Sequence, residues 1–189
     1  MGAPVAGPVP GLFGKLPAHG DFVRRGWPDE TVDAVDRWLT DGIAVARETR
    51  DDTDFAAWMH GAPLWLGYVP PGMLGPLALH IGLAPSIDRA GRLFPIAAGV
   101  AGDADATWKR VSTGFGAVLD TAIYDALAGR VDADGLVDAI ATRAPVDHAG
   151  DAPARSAWWL GSPAEDAPVL ETEAIDSALL ERLLCEGQS

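Results

Sequence analysis

The clearest hydrophobic periodicity runs through residues 28–48, where Val32, Val35, Trp38, Leu39 and Ile43 recur three and four positions apart. That spacing lines one face of an α-helix. Pro28 suits a first helical turn, and Asp29 and Glu30 sit where the helix dipole favours anions. Asp33 and Arg37 stand four apart with the acid first, the order that favours a surface ion pair. Asp103–Gly129 reads as one long helix, with Asp103 or Asp105 as N-cap and Gly129 as its stop. Trp108, Val111, Phe115, Val118, Leu119, Ile123 and Leu127 would share its buried face, although Gly114 and Gly116 weaken its middle. Asp132–Arg143 reads as another helix ahead of Pro145. Thr172–Cys185 closes the chain as an amphipathic helix, with Ile175, Leu179 and Leu183 four apart and Gly187 beyond. Phe55–His60 makes one or two helical turns after a solvated acidic connection at Asp51–Asp54.

Between these helices lie short apolar runs that read as strands: Gly11–Lys15, Leu64–Val69, Leu77–Leu83, Leu93–Val100 and Ser156–Leu160. Pro70-Pro71-Gly72 supplies a tight turn, and Ala84–Arg92 a loop. Connections this short cannot hold parallel crossovers, so the strands should pair antiparallel. Leu16–Gly26, punctuated by Pro and Gly, reads as a structured loop. The expected fold class is α/β (α+β): a largely antiparallel central sheet flanked by helices, in a single domain over residues 11–189. Residues 1–10, small and proline-rich, form a flexible lead-in.

Composition narrows the function classes. The chain has 189 residues, 48% of them hydrophobic, enough for a sizeable core. Its 14 Lys and Arg against 27 Asp and Glu give a net charge of −13. Such a chain repels nucleic acid phosphates and anionic membranes. The charge is uneven: residues 1–99 hold 8 basic and 11 acidic groups, and residues 100–189 hold 6 and 16. One cysteine, Cys185, excludes an intramolecular disulfide and multi-cysteine metal sites. The longest apolar stretch, Ala62–Ala84, is broken by prolines and glycines and predicts no transmembrane helix. The first residues carry no secretory pattern, and Ala6 departs from the myristoylation motif. A soluble, cytoplasmic protein is expected.

Catalytic constellations are sparse. His19, His60, His80 and His148 include no pair at helical metal spacing and no HExxH. His19-Gly20-Asp21 could bring two metal ligands together, but loop hydrogen bonding is the simpler reading. Ser86, Asp88 and His80 are the residue types of a hydrolytic triad, without a GxSxG elbow. No phosphate-binding loop is present, since Gly72-Met73-Leu74-Gly75 lacks the lysine. Cys185 reads as a packing residue. No cofactor is expected.

Two charged loops stand out. Gly20–Gly26 contains Asp21, Arg24 and Arg25; Pro85–Pro95 contains Asp88, Arg89 and Arg92. Arginine pairs carboxylates through a planar fork. The six residues either cross-brace the two loops or leave unpaired arginines to dock an acidic or phosphorylated partner. Seven tryptophans are many for one domain, and most should pack in its core.

These stretches carry a resemblance. GKLPAHGDFVRRG at Gly14–Gly26, Trp38-Leu39, Ala62-Pro63-Leu64-Trp65, APSIDRAGRLFP at Ala84–Pro95 and Ser156-Ala157-Trp158-Trp159 resemble the TagF (ImpM) family of type VI secretion. The resemblance spans Leu12–Leu160. It implies an α/β domain with a largely antiparallel sheet and a non-enzymatic role. It further implies post-translational repression of secretion in the cytoplasm, through a forkhead-associated scaffold protein. Some relatives carry a fused metal-dependent phosphatase domain, for which this chain has no length left. No catalytic residue can be carried over. The alternatives are a small hydrolase using Ser86 and His80 or a His19/Asp21 site, and a structural component of the secretion apparatus.

Overall fold

A computed structural model describes residues 7–141, 151–161 and 168–185. Among them, seven strands form one sheet: β1 (Val9–Gly14), β2 (Val23–Arg25), β3 (Trp65–Val69), β4 (Ala78–Ala84), β5 (Ile96–Gly102), β6 (Ser156–Trp159) and β7 (Leu170–Thr172). The order is β2-β1-β5-β4-β3-β6-β7, and every neighbouring pair is antiparallel. Six helices accompany it: α1 (Asp29–Glu48), α2 (Asp52–Gly61), α3 (Ala104–Ser112), α4 (Gly116–Leu127), α5 (Ala133–Ala141) and α6 (Ser177–Cys185). The α+β class expected from the strand pattern and short connections is the fold observed.

The helices split between the two faces of the sheet. Val35, Trp38 and Leu39 of α1, Phe55 of α2 and Leu180 and Leu183 of α6 pack on Phe13, Trp65, Ile81 and Trp158. On the other face, Leu119 and Ile123 of α4 and Leu136 and Ile140 of α5 pack on Leu12, Leu66, Ala98 and Val100. Tyr68, Ala157 and Trp159 meet Val111 of α3 on that same face. Alternate strand residues therefore enter two separate cores. This is why β4, apart from His80, and β5 read as apolar runs rather than alternating ones: both of their faces are covered. Six of the seven tryptophans are buried, and Trp108 is half-buried.

Several boundaries differ from the sequence reading, each for a local reason. Val9 and Pro10, placed in the flexible lead-in, pair with Ala101 and Val100 as part of β1; residues 1–6 lie outside the described residues. The loop at Leu16–Gly26 hides an edge strand, β2, only three residues long. Asp51 is an N-cap rather than a passive linker: its side chain accepts from the Thr53 and Asp54 N–H groups, so α2 begins at Asp52. The long helix divides at Gly114, whose φ of 77° no helical residue adopts. The break lets Val111 pack beneath α3 against Tyr68, while Phe115 and Leu119 join the α4–α5 core. Leu93 precedes β5 and bridges Ile87 instead. Thr172 ends β7, and the last helix starts at Ser177. Asp33 does not pair with Arg37; it takes Arg24 of β2. Arg143, Pro145, His148 and Gly187 fall outside the described residues.

Candidate functional site

The first charged loop leaves β1 at Gly14 and returns in β2. The second leaves β4 at Ala84 and reaches β5 at Ile96. Because β1 and β5 are neighbours, both loops emerge at one end of the sheet. Backbone bonds fasten them together: the Arg89 N–H donates to the His19 carbonyl at 2.7 Å. The Ser86 hydroxyl donates to the Lys15 carbonyl at 2.7 Å.

Asp88 is the centre of this junction. Its side chain is wholly buried, and the Lys15 ammonium lies 3.1 Å from Oδ2. Arg92 Nε donates to the same oxygen at 2.7 Å, while the Ala90 and Arg92 N–H groups donate to Oδ1 at 2.9 Å each. Burial works against this charge. The Arg92 backbone N–H and the Lys15 and Arg92 side chains overcome it and hold the carboxyl well below the usual carboxylate range. Arg92 then reaches across with Nη2 to the Gly20 carbonyl at 2.7 Å. One carboxylate thus closes its own loop through the Asp88–Arg92 turn and ties it to the first.

An aromatic group covers the junction. Phe22 stacks on Phe13 at 5.8 Å and meets Phe94 edge-on at 4.8 Å. The Lys15 ammonium sits 5.0 Å from the Phe22 ring. Phe22 nevertheless stays 45% exposed.

The six candidate residues therefore divide. Asp88 and Arg92 brace the loops. Arg24 and Arg25 do not reach the second loop: Arg24 pairs with Asp33 of α1 at 2.8 Å and Arg25 with Asp134 of α5 at 2.7 Å. Asp21 takes no arginine among the described residues and accepts from the adjacent Phe22 N–H in a local turn. Arg89 has no ion pair among the described residues, and its guanidinium lies over Gly20, 3.3 Å from where a Cβ would stand. Sequence reasoning missed Lys15 and Phe22. Lys15 was legible as the one charge ending an apolar strand, which cannot be buried without an anion.

The hydrolase constellations do not assemble. His19 Nε2 accepts the Ala133 N–H at 3.1 Å, tying the first loop to the start of α5, and Asp21 is turned to its own loop. Ser86 lies in the loop beyond β4, and His80 to Ala84 alone spans about 13 Å of strand. His80 lies under α3, with Nδ1 donating to the Gly67 carbonyl at 3.0 Å. Its Nε2, Tyr68 Oη, Thr107 Oγ1 and two guanidinium nitrogens of Arg110 are buried without a hydrogen-bond partner. Burial, joined by the Arg110 charge and opposed by the Gly67 bond, pushes His80 down to about 4. Burial likewise pushes Tyr68 up to about 12, helped by Asp105 and Asp103. Among the described residues no group of three or more His, Cys, Asp or Glu side chains is placed to hold a metal. Cys185 accepts the Trp58 indole N–H at 3.0 Å and packs against the α1 core. Among the described residues no helix is long and apolar enough to cross a membrane.

The architecture defines a class first: a single α+β domain whose seven-stranded antiparallel sheet presents two ion-paired loops at one end. The same fold occurs in the crystal structure of PA0076 from Pseudomonas aeruginosa PAO1, with a TM-score of 0.76, 24% identity and 94% of each chain covered. The model of the TagF N-terminal domain, type VI secretion system-associated, matches residues 11–142 and so takes in both charged loops. The chain belongs to the TagF family and is a type VI secretion-associated protein. No curated protein matches it.

Proposed function

We propose that the protein is a post-translational negative regulator of type VI secretion that acts in the cytoplasm by binding a forkhead-associated scaffold protein. The observation that carries this reading is the family match across residues 11–142, which contains both loops. The site chemistry supports a binding role. The Ser86 hydroxyl and the Asp88 carboxylate, the groups a hydrolase would need, are spent on holding the loops in place. Arg89 and Phe22, by contrast, remain at the surface. A protein that sequesters a partner needs a fixed, partly apolar surface with a few unpaired charges, and this arrangement supplies one.

The test is direct. The purified chain mixed with the forkhead-associated protein of the same secretion system should elute as a complex in size-exclusion chromatography. Deleting its gene should raise secretion. Separate elution together with unchanged secretion would sink the reading. Recovery in fixed ratio with purified secretion assemblies would favour a structural component instead.

A further inference from the structure

Two guanidinium groups converge on the backbone of Gly20. Arg92 donates to its carbonyl, and Arg89 lies over its Cα. Arg92 is balanced by Asp88, but Asp88 is already shared with Lys15. Lys15 and Arg92 share Asp88, so Arg89 is the junction's one cation without an ion pair among the described residues. Like charges held this close to an apolar surface gain from an anion brought to them.

Apolar surface lies beside these cations. A cleft of about 260 Å³ is walled by Pro17, Ile87 and Leu93 of the loops, Met59 and His60 of α2 and Leu127 of α4. Ile87 is 36% exposed there. Pro17 is two residues from His19 and Ile87 two from Arg89, and those residues are joined by the 2.7 Å backbone bond. Phe22, two residues from Gly20, adds its open face. An interface core of apolar and aromatic surface with an adjacent arginine is the composition that carries binding energy.

We propose that this junction is the docking surface for an acidic peptide segment of a partner protein. A carboxylate of the segment pairs with Arg89, and a neighbouring aliphatic side chain enters the Pro17–Ile87 cleft. The proposal rests on the reading of the protein as a binder and specifies where, and with what chemistry, it binds. The Asp88 node sets the position of Arg89 without consuming its charge. Arg89 joins the brace through the hydrogen bond from its backbone N–H to His19, which a change of side chain leaves in place.

The probe is the pentapeptide Glu-Glu-Leu-Glu-Glu, titrated into the isotope-labelled full chain and followed by amide chemical shifts, with Lys-Lys-Leu-Lys-Lys as control. The acidic peptide should give saturable shifts within residues 17–22 and 85–93, weakening as salt rises. Arg89→Glu should weaken binding at least tenfold with no change in melting temperature, and Ile87→Asp should weaken it at least tenfold as well. Absence of saturable shifts, shifts centred elsewhere, equal binding of the basic peptide, or no effect of Arg89→Glu would each overturn the proposal. The two readings fail separately. If wild type and Arg89→Glu capture the forkhead-associated protein equally, this surface is wrong while the repression reading stands. If that protein is not captured but the acidic peptide binds the loops, the repression reading falls and the surface remains.

Discussion

Two buried polar clusters among the described residues are treated differently. At the loop junction, both oxygens of Asp88 are satisfied by four donors and the charge is kept. Beneath α3, His80, Tyr68, Thr107 and Arg110 leave five side-chain atoms without partners, and His80 is held neutral. A fully paired ionic node fixes geometry, because each bond restrains the others. An unpaired polar layer fixes little and costs desolvation. The first therefore suits a surface that must be held in shape, and the second is a source of acid sensitivity.

Substitution at the node should produce the largest effect. Asp88→Ala strands the Lys15 ammonium and unties Arg92 from its own loop, so thermal unfolding should show the greatest fall in melting temperature of these variants. Asp88→Asn, which still accepts the two backbone N–H groups, should fall less. Equal melting temperatures for Asp88→Ala and wild type would remove the distinction between the two regions.

Acid should then separate them. His80 is depressed to about 4 in the folded chain, so below its ordinary value of 6.5 the unfolded chain takes the proton and the folded chain does not. Stability is lost as pH falls from about 6.5 to about 4, by about 3 kcal/mol over that window. Asp88 is also depressed, but as an acid. Its contribution is complete above about pH 4, the ordinary carboxylate value, and is lost only as pH falls further toward its folded value. Denaturant titrations against pH should show two steps, and His80→Leu should abolish only the upper one.

Gly114→Ala meets open space but must hold a φ of 77°, which should cost about 1 kcal/mol and loosen α3 over the unpaired layer. Arg24→Ala removes a half-exposed pair with Asp33, which water screens, and should cost about 0.5 kcal/mol or less. Chemical denaturation checks both.

What could be seen in the sequence follows the same division. Periodicity revealed α1 because one face is buried and the other is wet, and it revealed β3 and β4 as apolar runs. It merged α3 with α4 because a single Gly114 turn leaves the surrounding hydrophobic spacing intact. It passed over β2 and β7, whose three residues are too few to show alternation. At the candidate site, the residue types showed that Asp88 and the arginines would pair, but not which ones. Arg24 and Arg25 face α1 and α5 through contacts up to 109 residues away in sequence, and no local pattern encodes those. Arg92 was recoverable from its i,i+4 spacing to Asp88, whereas Arg89, one residue from Asp88, is kept apart by the turn that the carboxylate itself caps.

The most direct test of the account is calorimetric titration of the forkhead-associated protein with the wild-type chain and with Arg89→Glu, run beside their melting curves. Wild type should bind saturably, Arg89→Glu at least tenfold more weakly, and the two melting curves should superimpose. Equal affinity for the two chains, or no binding by wild type, would contradict it.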